Sequence, residues 1–195
     1  MNEFKVTFTG PSGVGAKSSL IDRIMSNKFD ENIVSTNGGS CVSKIIKTSY
    51  GEINLILWDT AGQKKFSSLI RIFCKDSDCI VFGYGVDSKR SLDEIEYYYQ
   101  LIYEELGNLP LFYLVGNRID LSSHREVTKE EGENYAKKYN MKYYEVSAKT
   151  GEGVNELIED ISNSLIKSKI KEIKKKINIL KKIKNYIIII IIRKI

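Results

Sequence analysis

Lys17 and Ser18 follow a glycine-rich run, Gly10-Pro11-Ser12-Gly13-Val14-Gly15-Ala16. A glycine-rich loop that runs into a helix turns successive backbone N–H groups toward one point, and the helix N-terminus adds partial positive charge there. A lysine in that place neutralises terminal phosphates, and a neighbouring hydroxyl ligates Mg²⁺. Further along, the apolar run Ile53 to Trp58 ends in Asp59-Thr60-Ala61-Gly62-Gln63. At a strand end, a carboxylate can hold Mg²⁺ through water, a glycine N–H can meet a terminal phosphate, and a glutamine can orient an attacking water. Taken singly, the first run could be a glycine turn with a chance lysine, and the second an acidic turn capping a strand.

The phosphate-loop pattern is G-x-x-x-x-G-K-[ST]. Gly10 and Gly15 keep its glycine spacing, but Ala16 stands before Lys17, so the loop is one residue longer than the pattern. Gly13 and Gly15 are expected to absorb the extra residue.

These groups need a frame that presents them together. Phe4–Thr9 reads as a strand, followed by the glycine turn and a helix from about Lys17 to Asn27. Ser43–Ser49 and Ile53–Trp58 read as a strand pair around Tyr50-Gly51, and Cys79–Val86, Leu111–Gly116 and Lys142–Val146 as buried strands. Helical patterns occupy about Ser91–Leu106, Thr128–Tyr139 and the chain from Asn155 onward. Strands alternating with helices imply an α/β fold with a mostly parallel sheet covered on both faces. Ligands of such folds bind outside the carboxyl ends of the strands, and the polar motifs fall at those ends.

Trp58-Asp59-Thr60-Ala61-Gly62-Gln63 resembles the third motif of Ras-superfamily GTPases, and Lys64-Lys65-Phe66-Ser67-Ser68-Leu69-Ile70 is similar to the second switch of the Rab branch, with two lysines in place of Glu and Arg. Asn117-Arg118-Ile119-Asp120 resembles the family's N-K-x-D motif, with arginine for lysine, and Glu145-Val146-Ser147-Ala148-Lys149 its E-T-S-A-K motif. In the first switch, Thr36 and Gly38 match the Rab pattern, whereas Asn37, Ser40 and Cys41 depart from it. The resemblance covers about residues 4–165. It implies a P-loop NTPase fold of the Ras-like type, with six strands and about five helices, to which the chain's own pattern adds a helical basic C-terminal extension. It also implies GTP and GDP as ligands, Mg²⁺ as cofactor and slow hydrolysis of GTP.

By that resemblance Ser12, Gly13, Val14, Gly15, Ala16, Lys17, Ser18, Ser19 and Gly62 hold the phosphates. Ser18, Thr36 and, through water, Asp59 hold Mg²⁺, and Gln63 is the catalytic position. Asp120 would accept two hydrogen bonds from guanine, which adenine cannot donate, so a buried unpaired acid rejects adenine. Asn117 supports the base and the phosphate loop. The stem of Arg118 packs on the base while its planar head stacks. Ser147 shapes the turn, the Ala148 N–H meets the guanine carbonyl and Lys149 covers the base. The implied partners are an exchange factor, a GTPase-activating protein and effectors, in vesicle traffic or signalling. The substitutions at Ala16, Arg118 and the first switch feed a second reading, a catalytically impaired interaction module.

Composition narrows the rest. The chain has 195 residues, 42% hydrophobic and 28% charged, which is enough for one buried core. From Leu165 onward there are eleven Lys or Arg and one acid, so this segment carries +10 and the residues before it −5 of the net +5. Residues 1–166 read as the GTPase domain and 167–195 as a Lys/Ile-rich tail. Apolar residues at Ile166, Ile170, Ile173, Ile177, Leu180 and Ile187 stripe that tail, with lysines on the other face. Such a helix can lie on an anionic membrane or bind an acidic partner, stay solvated, or reflect biased codons alone. Ile187–Ile192 is too short to span a bilayer. No aromatic interleaving supports nucleic-acid binding. Cys41, Cys74 and Cys79 form no C-x-x-C pair, and His124 stands alone, so neither a disulfide frame nor a zinc site is expected. The chain has no apolar signal core after Met1, no glycine at position 2 and no cysteine near its end for a prenyl group. The expectation is a cytoplasmic protein, peripheral on the cytosolic face of membranes.

Overall fold

The structure, a computed structural model, describes residues 1–30, 36, 38–104, 106 and 109–192, with backbone alone at 182 and 184–192. The strands are β1 (Asn2–Thr9), β2 (Gly39–Thr48), β3 (Gly51–Thr60), β4 (Cys79–Gly85), β5 (Leu111–Asn117) and β6 (Lys142–Glu145). The helices are α1 (Ser18–Ser26), α2 (Ser67–Cys74), α3 (Lys89–Asp93), α4 (Ile95–Tyr103), α5 (Lys129–Lys138) and α6 (Val154–Ile192). One six-stranded sheet runs β2-β3-β1-β4-β5-β6. Only the β2–β3 pair is antiparallel. The expected mostly parallel α/β sheet is therefore what forms, and the carboxyl ends of β1, β3, β4, β5 and β6 share one edge.

The central strands are buried on both faces, as parallel sheets require. Every residue of β4 is buried. Phe8, Leu55, Leu57 and Val81 meet Leu20, Ile24, Leu157 and Ile161 in the core under α1 and α6. On the opposite face Ile80, Phe82 and Tyr84 pack with Ile70, Ile95, Tyr98 and Ala136 from α2, α4 and α5. Helix α5 starts on a reciprocal cap, in which Thr128 accepts from the Glu131 N–H and the Glu131 carboxylate accepts from the Thr128 N–H.

Several boundaries differ from the sequence reading, and helix α2 has no counterpart in it. β2 begins at Gly39 rather than Ser43, because β3 runs on to Thr60 and an antiparallel partner follows it. Gly39, Ser40 and Cys41 thus belong to an edge strand, and a Cβ on Gly39 would strike the Phe73 ring at 2.6 Å. The single helix expected over Ser91–Leu106 starts earlier, on the Ser88 cap, and divides at Glu94, where Tyr97 N–H bonds the Glu94 carbonyl at 3.1 Å and tightens the turn. Helix α1 begins at Ser18, leaving Lys17 outside it. Val34, Ser35 and Asn37 of the first switch lie outside the described residues.

Helix α6 runs unbroken beyond the sheet. Leu157, Ile161 and Leu165 are buried, but Ile173, Ile177 and Leu180 are 46%, 45% and 64% exposed. Among the described residues no helix is long and apolar enough to cross a membrane.

Leu57 is fully buried two residues before Asp59. Leu57→Ala should lower the unfolding free energy by about 2–5 kcal/mol, read as a lower urea midpoint at unchanged slope.

Candidate functional site

The loop after β1 bends on three glycines in the left-handed region, Gly10 (φ 129°), Gly13 (φ 80°) and Gly15 (φ 64°). It delivers Lys17 and Ser18 to a cavity of about 400 Å³ at the carboxyl edge of the sheet. Ser12, Gly13, Gly15 and Ser19 line the same cavity, with Thr36, Gly62 and Gln63 beside them. At its other end stand Asn117, Arg118, Asp120, Ala148 and Lys149. Five stretches distant in sequence therefore meet in one concave site.

At the first end the polar groups converge. Ser18 Oγ and Thr36 Oγ1 both donate to Asp59 Oδ2, at 2.6 and 2.7 Å, and lie 2.9 Å from each other. Asp59 Oδ1 is buried and has no hydrogen-bond partner among the described residues. Two hydroxyls and a carboxylate are the oxygen donors a hard cation takes, so these residues fit Mg²⁺. Among the described residues no cluster of His, Cys, Asp and Glu offers an all-protein metal site. Lys17 is 6% exposed and donates to the Pro11 carbonyl at 2.5 Å. Burial pulls its ammonium down to about 8, against the opposing pull of Asp59. An anion in the cavity would pull it back up. Gly62 lies directly on the loop, where a Cβ would meet Ser12 N at 2.6 Å and Lys17 Nζ at 2.7 Å. Its carbonyl accepts from the Tyr98 hydroxyl at 2.7 Å.

The second end is tied to the first. Asn117 Nδ2 donates to the Val14 carbonyl at 3.1 Å, and Asn117 Oδ1 accepts from the Ala148 N–H at 2.9 Å. Ser147 Oγ donates to Asp120 Oδ1 at 2.5 Å, and the Thr150 N–H bonds Ser147 Oγ.

A model of the Ras family matches residues 5–167. This chain belongs to the Ras family. It is similar to Ras-related protein Rab-21 of Mus musculus, at 34% identity over 165 residues, which are 85% of this chain and 74% of that protein. The Homo sapiens and Bos taurus proteins of that name stand at 34% and 33% over the same length. The family relation makes the chain a Rab-like small GTPase.

Several of the expected site residues are engaged within the protein rather than presented to the cavity. Val14 and Ala16 do not line the cavity; their side chains are buried beneath the loop. Ser147 is also buried and acts on Asp120 rather than facing the cavity. The Ala148 N–H donates to Asn117 Oδ1 and so ties the two loops together. The head of Arg118 does not stack, because Nη1 pairs with Asp87 Oδ2 at 2.9 Å and Nη2 donates to the Gly13 carbonyl. Arg118 thereby takes a left-handed φ of 70°. Asp59 stands behind Ser18 and Thr36 rather than on the cavity wall. Phe29 and Leu121 line the site from outside the motifs, and Thr60 lines it from within the Asp59–Gln63 motif.

Arg23 was equally silent. From α1 it donates to the Ala148 carbonyl at 2.7 Å, to the Lys149 carbonyl and to Asn27 O. These bonds hold the 147–151 turn. Arg23→Met should raise amide exchange of that turn by about tenfold or more, since one charge-assisted hydrogen bond is worth about 1.5–3 kcal/mol. Amides of β4 serve as the unaffected reference.

Proposed function

We propose that this chain is a GTP/GDP switch that hydrolyses GTP slowly and acts in vesicle traffic or signalling. Residues 1–166 form its working domain and 167–195 a basic tail. The observation that carries the reading is the convergence, in one cavity, of Lys17, Ser18, Gly62 and Gln63 at one end with Asn117 and Asp120 at the other.

In this reading the Ser12–Ser19 loop and Lys17 hold the phosphates. Ser18 and Thr36 would hold Mg²⁺, with Asp59, which already receives both hydroxyls, supporting it. The ion, when bound, neutralises charge that builds on the phosphate oxygens during transfer. Gln63 sits at the cavity edge, where the chain leaves β3 and before the short helical turn Lys64–Phe66. From there its amide orients the water that attacks the γ-phosphorus. Asp120, held by Ser147, accepts from the guanine ring N–H and exocyclic amine. The aliphatic stem of Arg118 and Lys149 flank the base.

The chain offers no arginine at the Gln63 side of the cavity among its described lining residues. A GTPase-activating protein that supplies one would speed turnover by about 10³–10⁵. Loss of the γ-phosphate releases Thr36 and Gly62, the two points where the switches would touch it, and exchange factors and effectors read that change. The tail presents Ile173, Ile177 and Leu180 among lysines and would rest on an anionic membrane face.

Single-turnover hydrolysis tests the catalytic assignment. Slow release of phosphate from GTP is expected, reduced by about tenfold or more in Gln63→Leu through loss of water orientation. Turnover unchanged in that variant removes Gln63 from the mechanism, and absence of turnover in a GTP-loaded chain favours the interaction module. For the base site, Asp120→Asn should weaken GDP binding by roughly 10²–10⁴, two charge-assisted hydrogen bonds being lost. Competition with fluorescent GDP reads this directly.

A further inference from the structure

The last three residues of β4 include two glycines, Gly83 and Gly85. Strand alternation puts them on the face that Cys79 and Val81 occupy further back, the face covered by α1 and α6. Neither has a positive φ, so nothing in the backbone calls for glycine there. A glycine inside a buried strand then marks the close approach of another backbone.

At Gly83 the approaching backbone is the phosphate loop, at its supernumerary residue. A Cβ on Gly83 would lie 2.5 Å from Ala16 Cβ and 2.7 Å from the Ala16 carbonyl oxygen. From the loop's other limb, a Cβ on Gly10 would lie 2.5 Å from Gly83 O. Ala16 is fully buried. The extra residue thus turns inward, into space that a side chain at position 83 would fill. Gly85 differs, because its nearest neighbour would be the Asp87 carboxylate, with Val14 Cβ at an ordinary 3.5 Å.

We propose that Gly83 is a positioning residue for phosphate binding, paired with Ala16: the bare strand seats the lengthened loop so that Lys17 and Ser18 still reach the phosphates. The inference rests on the nucleotide reading of the cavity. A methyl at position 83 has to push Ala16 outward by about 1 Å to reach ordinary contact. β4 resists yielding instead, since it pairs with β1 as far as Phe82 and with β5 through Gly85. Ala16 adjoins Lys17, and the loop is already closed above by Gly62, so the shift passes to the lysine. A displacement of that size costs about 10² in function.

The test uses the full chain, with Gly83→Ala and a deletion of Ala16, alone and together, and reads GDP and GMP affinities by competition with fluorescent GDP. GDP binding by the unmodified chain is measured first. Its absence removes the nucleotide reading and this inference with it. Given binding, Gly83→Ala should weaken GDP by about 30–100-fold while leaving GMP, which lacks the β-phosphate, within about threefold. In the chain lacking Ala16, Gly83→Ala should change GDP affinity by less than about threefold. Equal loss in both backgrounds, equal loss of GDP and GMP, or no loss overturns the pairing and leaves the nucleotide reading intact. Circular dichroism and melting temperatures establish folding of each variant. If Gly83→Ala alone does not fold, rescue by deleting Ala16 supports the pairing, and failure of rescue overturns it.

Discussion

The phosphate loop has to lie directly on the backbone of its neighbours, and the rest of the site follows from that close fit. Gly62 beyond β3 and Gly83 within β4 approach the loop so closely that a β-carbon at either place would meet loop atoms at 2.5–2.7 Å, where about 3.5–4.0 Å is ordinary contact. The loop itself bends through three left-handed glycines. Only with these surfaces bare do Lys17 and Ser18 emerge at the carboxyl edge of the sheet, within reach of Thr36 and Asp59.

The phosphate and base ends of the cavity are mechanically one body. Asn117 joins the Val14 carbonyl to the Ala148 N–H, Arg118 joins the Gly13 carbonyl to Asp87, and Arg23 ties α1 to the 147–149 turn. Substitution of arginine at the base motif therefore does not simply repeat a lysine. Its fork satisfies two partners at once, which a point charge does less well, and its head is spent on the scaffold rather than on the base. The buried Lys17 ammonium and the unpartnered Asp59 Oδ1 are polar groups desolvated ahead of any ligand. Such groups are costly to keep, and the cost is recovered only when counter-charges arrive.

Much of this was legible in the sequence because the chemistry sits at strand ends and strands announce themselves by apolar runs. Phe4–Thr9, Ile53–Trp58 and Leu111–Gly116 each lead straight into a polar motif, and the sheet brings all of those motifs to one edge. Gly13 and Gly15, expected to absorb the extra residue, take left-handed conformations. Less legible were features set by tertiary contact. The start of β2 at Gly39 depends on pairing with β3, not on propensity. Arg23 and Phe29 carry no motif, since their roles arise only when α1 meets the cavity. The spare space for Ala16 was sought in the loop, although two glycines in the last three residues of a buried strand pointed to β4. Those glycines interrupt an otherwise bulky run, Cys79 to Val86, and that interruption was the available signal.

The account turns on the cavity holding a guanine nucleotide despite the lengthened loop. The most direct measurement is the identity and amount of nucleotide released when the purified, folded chain is denatured, resolved by anion-exchange chromatography. Stoichiometric GDP or GTP with no adenine nucleotide is the predicted result. A folded chain that releases no nucleotide, and takes up no GDP in the presence of Mg²⁺, would contradict it.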